Sequence, residues 1–165
     1  MQVDAFNELD QMQARAAVRV CVDNDRWIDA VIDGRPYADL EGALTVARSA
    51  AAPWTVSEID GALAHHPRIG DRMRVASTEA ALSCREQAGV DATDAEVLEA
   101  LASGNQLYEA RFGRVFLIRA AGRSTREILD ALHTRLQHSP EEEITVVAQQ
   151  LREIALLRLE GVLKS

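Results

Sequence analysis

The fold class is most evident in the stretch Ser139-Pro-Glu-Glu-Glu-Ile-Thr-Val-Val-Ala-Gln-Gln-Leu-Arg-Glu-Ile154, because it combines a helix start with a helical repeat of apolar residues. Ser139 and Glu142 have capping-box spacing, in which hydroxyl and carboxylate each satisfy a backbone N–H of the first turn. Pro140 takes the first helical position, where its missing N–H costs nothing. The residues of the repeat are Ile144, Val147, Leu151 and Ile154. The pattern predicts a long helix over 140–163 with one face buried.

Elsewhere in the sequence, further capping-box pairs and apolar stripes predict helices along most of the chain. The additional pairs are Thr55 with Glu58, Thr93 with Glu96, and Ser124 with Glu127. The predicted helices lie near 3–9, 11–23, 25–33, 39–52, 55–65, 77–89, 94–111, 124–138 and 140–163. A chain of 165 residues suits one domain with a real core. We therefore predict an all-α fold, a compact single-domain bundle of about eight or nine helices over residues 1–165.

One segment, near 114–120, interrupts the helical pattern. It reads Arg114-Val-Phe-Leu-Ile-Arg119 and is bounded by Gly113 and Gly122, which predicts an extended conformation. An extended segment packed among helices leaves backbone N–H and C=O groups that need partners. A bound ligand can be one of those partners.

Composition excludes several classes of function. The net charge is −8 and no run of Lys or Arg occurs, whereas a nucleic-acid binder needs a basic face. No apolar run approaches the length that spans a membrane, and the N-terminus has no signal-peptide pattern. The two cysteines, Cys21 and Cys84, fit neither a metal spacing nor a disulfide framework. These features favour a cytoplasmic protein that binds neither nucleic acid nor membrane.

The loop His65-His66-Pro67-Arg68-Ile69-Gly70 is the first candidate site. Proline disfavours helical geometry in the residue before it, so we expect the helix from Thr55 to end at His66. A rigidly placed imidazole is the commonest general acid or base. The alternative is an ordinary helix terminus that carries a surface histidine.

Ser83, Glu86 and Gln87 are the second candidate, since positions i, i+3 and i+4 share one side of a helix. Their hydroxyl, carboxylate and carboxamide could together bind a ring bearing several N–H and C=O groups. The alternative is a solvated helical face.

Arg158 is the third candidate, because it continues the stripe of the last helix seven residues beyond Leu151. An arginine on such a stripe either extends to solvent or is paired in a pocket. No metal site is expected: His133 and His138 are five residues apart and do not share a helical face.

Taken together, the motifs resemble the 2-oxo-4-hydroxy-4-carboxy-5-ureidoimidazoline (OHCU) decarboxylase family along nearly the whole chain. The matching segments are Phe6-Asn7, Trp27, Arg35-Pro36-Tyr37, His65-His66-Pro67-Arg68-Ile69-Gly70-Asp71, Ser83-Cys84-Arg85-Glu86-Gln87, Asn105-x-x-Tyr108-x-x-Arg111-Phe112-Gly113, Phe116 to Arg123 and Leu157-Arg158-Leu159.

The resemblance implies an all-helical, usually homodimeric enzyme with no metal or organic cofactor. The implied reaction belongs to uric acid degradation and purine metabolism: decarboxylation of the small-molecule ureidoimidazoline to (S)-allantoin. It also implies His66 as general acid or base and Glu86 as the group that polarises the substrate. The implied substrate-binding residues are Pro67, Ser83, Gln87, Phe116, Leu117, Ile118, Arg119, Ala120 and Arg158.

Two other functions remain open from the residues themselves. One is a related ureide or hydantoin-type lyase or hydrolase that uses the same pocket. The other is a non-catalytic helical module that binds a partner through the stripe containing Arg158. His66 facing Glu86 would favour an enzyme, and separate faces would favour the module.

Overall fold

All the regular secondary structure in the described part of the chain is helical. The computed structural model describes residues 1–64, 66, 68, 69 and 92–164. The helices are α1 (Val3–Glu8), α2 (Gln11–Arg19), α3 (Asp25–Asp33), α4 (Leu40–Ala50), α5 (Val56–Leu63), α6 (Ala92–Phe112), α7 (Thr125–Arg135) and α8 (Pro140–Lys164). No strand occurs among these residues, which confirms the all-α prediction. The predicted helix over 77–89 lies outside the described residues.

The internal contacts divide the chain into two compact units. The first unit comprises Met1–Ala64 and Thr145–Ser165, and the second comprises His65–Ile144. The prediction of one domain over 1–165 stays a prediction.

In the first unit, the N-terminal motif residues hold the start of the chain against the loop after α3. The Asn7 side chain donates to the Tyr37 carbonyl at 2.8 Å and accepts from the Tyr37 N–H at 2.9 Å. The Phe6 and Tyr37 rings stack with their centroids 6.5 Å apart. Arg35 donates to the carbonyls of Phe6 and Leu9. These motif residues therefore have a structural role in this unit.

The predicted helix caps at Thr55, Ser124 and Ser139 are present, whereas Thr93, predicted as a cap, lies inside its helix. Both hydrogen bonds of the capping box form at Thr55 with Glu58 and at Ser124 with Glu127. Ser139 and Glu142 form the same reciprocal pair, with N···O distances of 2.8 and 3.2 Å. The helix predicted from 94 begins two residues earlier, at Ala92, which is within the usual uncertainty of helix ends.

Four helices end at least two residues sooner than the sequence predicts; α4 ends at Ala50 rather than 52 and α7 at Arg135 rather than 138, and α2 and α5 also end early. Helix α2 ends at Arg19 rather than 23, because Asn24 accepts from the Trp27 N–H and starts α3. Helix α5 ends at Leu63, after which the Ala64 N–H makes a last bond to the Asp60 carbonyl. His66 therefore lies in the following loop and not on the last helical turn. The early end of α2 agrees with the presence of a cap for the next helix, and the early end of α5 agrees with the nearby Pro67 in the sequence.

The core of the second unit forms where α6 packs against α7. A Cβ on Gly104 would lie 2.5 Å from Cδ2 of Leu132, so the missing side chain permits this close approach. The buried cluster consists of Val97, Leu101, Tyr108, Phe116, Ile118, Ile128, Leu129 and Leu132.

The buried face of α8 differs from the predicted stripe. Ile144 is half-buried, whereas its neighbour Glu143 is fully buried. The positions that are at most 3% exposed recur every four residues: Glu143, Val147, Leu151, Ala155, Leu159 and Leu163. Four-residue steps turn the buried face by about 40° each time, because a helix turns about 100° per residue. This drift brings Leu159 inward and leaves Arg158 exposed, which corrects the core-facing placement expected for Arg158.

Candidate functional site

His66 lies in the second unit, half-buried, in the loop that follows α5. The side chains of this loop that the structure describes are those of His66, Arg68 and Ile69. Pro67, the residue predicted to line the pocket beside His66, lies outside the described residues.

Arg68 attaches this loop to α6. Its Nε and Nη2 donate to the two carboxylate oxygens of Glu109 at 2.5 and 2.7 Å. This two-bond geometry matches the guanidinium fork to the carboxylate plane. The hydrogen bond from Arg68 holds the pKa of Glu109 below its usual value, which keeps the carboxylate charged.

Asn105 makes a second attachment one turn earlier on α6. Its Nδ2 donates to the Ile69 carbonyl at 2.8 Å, and the residue is only 4% exposed. The Ile69 side chain packs against the buried cluster of this unit, which includes Phe116 and Ile118. The loop carrying His66 therefore shares a core with the 114–120 segment. The Asn105 Oδ1 is buried and has no partner among the described residues.

The 114–120 segment is neither helix nor strand, in keeping with the predicted interruption. Gly113 and Gly122 have φ of +70° and +78°, a region that favours glycine, and they turn the chain at both ends. Phe116, Leu117 and Ile118 are buried. Within the described chain, no group is bonded to their three backbone N–H groups. These N–H groups are the donors that the sequence predicts for a ligand.

A buried polar network lies behind this segment, formed by Tyr108, Arg135, His138 and Glu143; we call it the Arg135 network. Nε and Nη2 of Arg135 donate to Glu143 Oε1 at 2.8 and 2.5 Å, and Tyr108 donates to the same oxygen. His138 Nδ1 lies 2.8 Å from Glu143 Oε2. Burial raises the pKa of the Tyr108 hydroxyl, and its bond to Glu143 raises that pKa further, so Tyr108 remains a donor.

Arg135 also contacts the segment directly. Its Nη1 donates to the Leu117 carbonyl at 2.7 Å, and its guanidinium carbon lies 4.5 Å from the centre of the Phe116 ring. This network was not predicted from the sequence. The signal was present, since Arg135 lies seven residues after Ile128 on the buried face of α7. A charged residue on a buried helical face requires a partner, and Glu143 provides it.

The remaining predicted site residues lie outside the described residues or in the first unit. Ser83, Glu86 and Gln87 lie outside the described residues. Arg158 belongs to the first unit, where its Nη1 donates to the Cys21 carbonyl at 3.1 Å. Burial raises the pKa of the Cys21 thiol to about 11, which keeps it protonated near neutral pH. The predicted roles of these residues in substrate binding stay predictions.

No group of three His, Cys, Asp or Glu residues in 1–64, 66, 68, 69 and 92–164 is arranged to hold a metal ion. No helix in the same ranges has the length and apolar character needed to cross a membrane.

Comparison with protein families finds one family model, described as OHCU decarboxylase, that matches residues 7–160. A uric acid degradation bifunctional protein of Arabidopsis thaliana is 30% identical over 144 residues, which are 86% of this chain and 44% of that protein. A 2-oxo-4-hydroxy-4-carboxy-5-ureidoimidazoline decarboxylase of Amia calva is 30% identical over 140 residues, covering 82% of this chain and 78% of the relative. The chain thus spans less than half the length of the Arabidopsis protein.

Solved structures give the same fold. A crystal structure of OHCU decarboxylase in the presence of (S)-allantoin superposes with a TM-score of 0.70 at 27% identity, covering 89% of this chain and 96% of the other. A crystal structure of (S)-allantoin synthase superposes with a TM-score of 0.71 at 18% identity, covering 98% of this chain and 54% of the other. The second likeness concerns the fold alone.

Proposed function

This chain belongs to the OHCU decarboxylase family, and from that membership we propose that it converts 2-oxo-4-hydroxy-4-carboxy-5-ureidoimidazoline to (S)-allantoin in urate breakdown. The observation that carries the proposal is the family match over 7–160, which includes the His66 loop and the 114–120 segment. The attachment of both features to one core in the second unit supports it.

The chemistry of this substrate requires little from the protein. The leaving carboxylate is attached to a ring carbon next to a C=N bond. When the C–C bond breaks and CO₂ leaves, the electron pair moves into that C=N bond, so the substrate provides the electron sink that a cofactor provides elsewhere. The C–C electron pair becomes a ring C=C bond, the π pair of the C=N bond moves to its nitrogen, and that nitrogen takes up one proton. Loss of the hydroxyl proton, with protonation of the ring carbon that carries the ureido group, then yields allantoin. The protein's tasks are orientation, charge stabilisation and delivery of the proton to one face.

In this proposal His66 is the general acid or base that transfers a proton in the reaction. Imidazole is the side chain that most often acts as a general acid or base in proteins. Its loop is fixed to α6 by the Arg68–Glu109 ion pair and by the Asn105 bond to Ile69. Fixed placement matters because proton transfer requires hydrogen-bond distance to the reacting atom.

The backbone of the 114–120 segment would bind the polar edge of the ring. The N–H groups of Phe116, Leu117 and Ile118, which bind no group among the described residues, suit the carbonyl and carboxylate oxygens of a ureidoimidazoline. Arg119 and Ala120, which the resemblance also implicates, continue the same segment and are half-buried.

Four further roles rest on the family resemblance. Glu86 would bind and polarise the substrate, Ser83 and Gln87 would bind its polar groups, and Pro67 would line the pocket. Arg158 would contribute to substrate binding from the last helix. We include all five residues in the proposed site.

The deciding experiment generates the labile substrate in place from urate, with urate oxidase and hydroxyisourate hydrolase, and follows allantoin by circular dichroism. Spontaneous decay passes through a nearly planar enamine that water protonates on either face, so the control without this protein should yield racemic allantoin. With the protein, we expect faster CO₂ release and a single enantiomer. A tenfold bias between faces needs only ~1.4 kcal/mol.

Two results would contradict the proposal. An unchanged rate of CO₂ release would mean that the protein is not this decarboxylase. Acceleration with a racemic product would mean that the site does not direct the proton, and would remove His66 as a positioned donor. The reaction is also expected to continue after exhaustive chelation and without added cofactor. Loss of activity to a chelator with recovery on adding a divalent ion would refute that part.

We also propose that the protein is a homodimer in the cytoplasm, as the resemblance and the cysteine content suggest. Light scattering coupled to size-exclusion chromatography measures the mass, and twice the 18.1 kDa of one chain is expected. A mass of one chain at micromolar concentration would contradict the dimer.

A further inference from the structure

The Arg135 network takes no part in the proposed chemistry, although it places two charged groups in the core of the second unit. The side chains of Arg135 and Glu143 are 6% and 0% exposed. Burying two charges costs hydration energy, and apolar replacements of similar volume are often at least as stable. Fold stability alone therefore does not account for this pair.

The donors of Arg135 are divided between two targets. Nε and Nη2 bind Glu143 Oε1, and Nη1 binds the Leu117 carbonyl. The planar guanidinium has its N–H bonds in a fixed fork, so two bonds to the carboxylate orient the third donor. Glu143 thus aims Arg135 at the backbone of the 114–120 segment.

The hydrogen bond from Arg135 to the Leu117 carbonyl also orients the N–H group of the next residue, Ile118. The peptide bond between Leu117 and Ile118 is trans, since the cis bonds among described residues precede Pro36 and Pro53. In a planar trans peptide the C=O and the following N–H point in opposite directions. The Ile118 N–H is therefore directed away from Arg135, and no described group is bonded to it.

We propose that Arg135, oriented by Glu143, is a positioning residue that presents the Ile118 N–H as a donor to a carbonyl or carboxylate oxygen of the ureidoimidazoline ring. This inference rests on the proposed function and adds to it the two side chains that orient one of its backbone donors. Arg135 acts through the backbone and touches no reacting atom.

The test measures affinity rather than rate alone. Titration calorimetry with (S)-allantoin reports a Kd and a stoichiometry, and a partly unfolded preparation lowers only the stoichiometry. Arg135→Lys retains a positive charge beside Glu143 but has one nitrogen for two targets. We expect its Kd for (S)-allantoin and its KM for the substrate to rise about tenfold, with kcat changed less.

A second variant addresses the risk of misfolding. Arg135→Met combined with Glu143→Gln removes both buried charges together, and the Gln amide can still pair with Tyr108 and His138. This variant also lacks the donor to Leu117, so the same rise in Kd is expected. The matched control is Arg111→Lys, which loses an Arg bond to the His138 carbonyl, at 2.9 Å in the wild type, without contacting the segment. Its Kd should equal that of the wild type.

The outcomes separate the two proposals. Wild-type protein that neither forms nor binds (S)-allantoin would refute the proposed function. Normal wild-type behaviour with unchanged Kd in both Arg135 variants, whatever their stoichiometry, would overturn the positioning role. In the wild type, the amide resonance of Ile118 should shift when (S)-allantoin is added, and the absence of a shift would likewise overturn it.

Discussion

Arg68 and Glu109 join the loop that carries His66 to α6 through two parallel hydrogen bonds of 2.5 and 2.7 Å. The pair is near the surface, since the Arg68 side chain is 55% exposed. Exposed ion pairs contribute about 0–1 kcal/mol to stability, so the fold does not depend on this one. Its consequence is the placement of His66 two residues away.

Arg68→Ala should therefore reduce activity more than stability. We expect kcat to fall about tenfold, because small displacements of a catalytic group are costly. The midpoint of urea unfolding should hardly move. Arg48→Ala, which removes the exposed Arg48–Glu41 pair of the first unit, is the control and should leave kcat unchanged. Equal kcat values for Arg68→Ala and the wild type would mean that the ion pair does not position His66.

Replacing the Nδ2 atom of Asn105 should lower both the free energy of unfolding and kcat. Asn105→Ala loses the bond to the Ile69 carbonyl, which costs about 1 kcal/mol of unfolding free energy. Asn105→Asp should be worse, because a carboxylate oxygen would then replace the Nδ2 donor that faces that carbonyl. Chemical denaturation and kcat measure both effects. The neighbouring exposed Gln106→Ala serves as the control, and an Asp variant as stable as the wild type would contradict this interpretation.

His66→Ala should nearly abolish turnover and leave the fold intact. General acid–base groups contribute about 10²–10⁴-fold in rate. The half-buried loop position of His66 means that truncation removes little packing. His133→Ala, an exposed position on α7, is the matched control. Near-normal stereospecific formation of allantoin by His66→Ala would exclude His66 as the acid or base.

Glu86→Gln should lower kcat/KM by about ten- to a hundredfold. A hydrogen bond to a charged acceptor contributes roughly 1.5–3 kcal/mol, against about 0.5–1.5 kcal/mol for a neutral one. The adjacent Gln87→Glu is expected to leave folding largely unchanged, as judged by thermal unfolding. Unchanged kinetic constants in Glu86→Gln would mean that this carboxylate does not contact the substrate.

Acid should weaken the cap of α5. The hydrogen bond from Arg26 is the largest cause that lowers the pKa of Glu58 from 4.5 to about 2, and bonds from Thr55 and Asn24 add to it. Because the folded-state pKa lies below the unfolded value, this contribution is complete above pH 4.5 and is lost as the pH falls towards 2. Urea unfolding of the wild type and Glu58→Gln measures it. The two proteins should converge in stability at low pH, and a constant difference would refute the assignment.

Much of the fold could be predicted from local patterns. The start of α8 follows from Ser139, Pro140 and Glu142, since a cap satisfies its own backbone without help from distant residues. The end of the helical pattern at Gly113 could also be predicted, because a backbone position with positive φ favours glycine. Local chemistry decides such features, so a single sequence reveals them.

The exact faces of the helices could not be predicted in this way. Arg158 was expected on a buried stripe, and Leu159 occupies that position instead. An apolar repeat of period 3.6 indicates only the approximate direction of the buried face of a helix. The elements that pack against the helix decide which residues at the edge of that face are buried, and the repeat does not specify those elements.

The helical class, most of the helix starts and the motifs that place the chain in its family follow from the sequence alone. Only the tertiary structure decided that Arg135 and Glu143 are buried together behind Leu117, and that Arg68 and Asn105 fasten the His66 loop to α6. The physical reason is sequence distance. Arg68 and Glu109 are 41 residues apart, and only the packing of the folded chain brings such groups within hydrogen-bond reach.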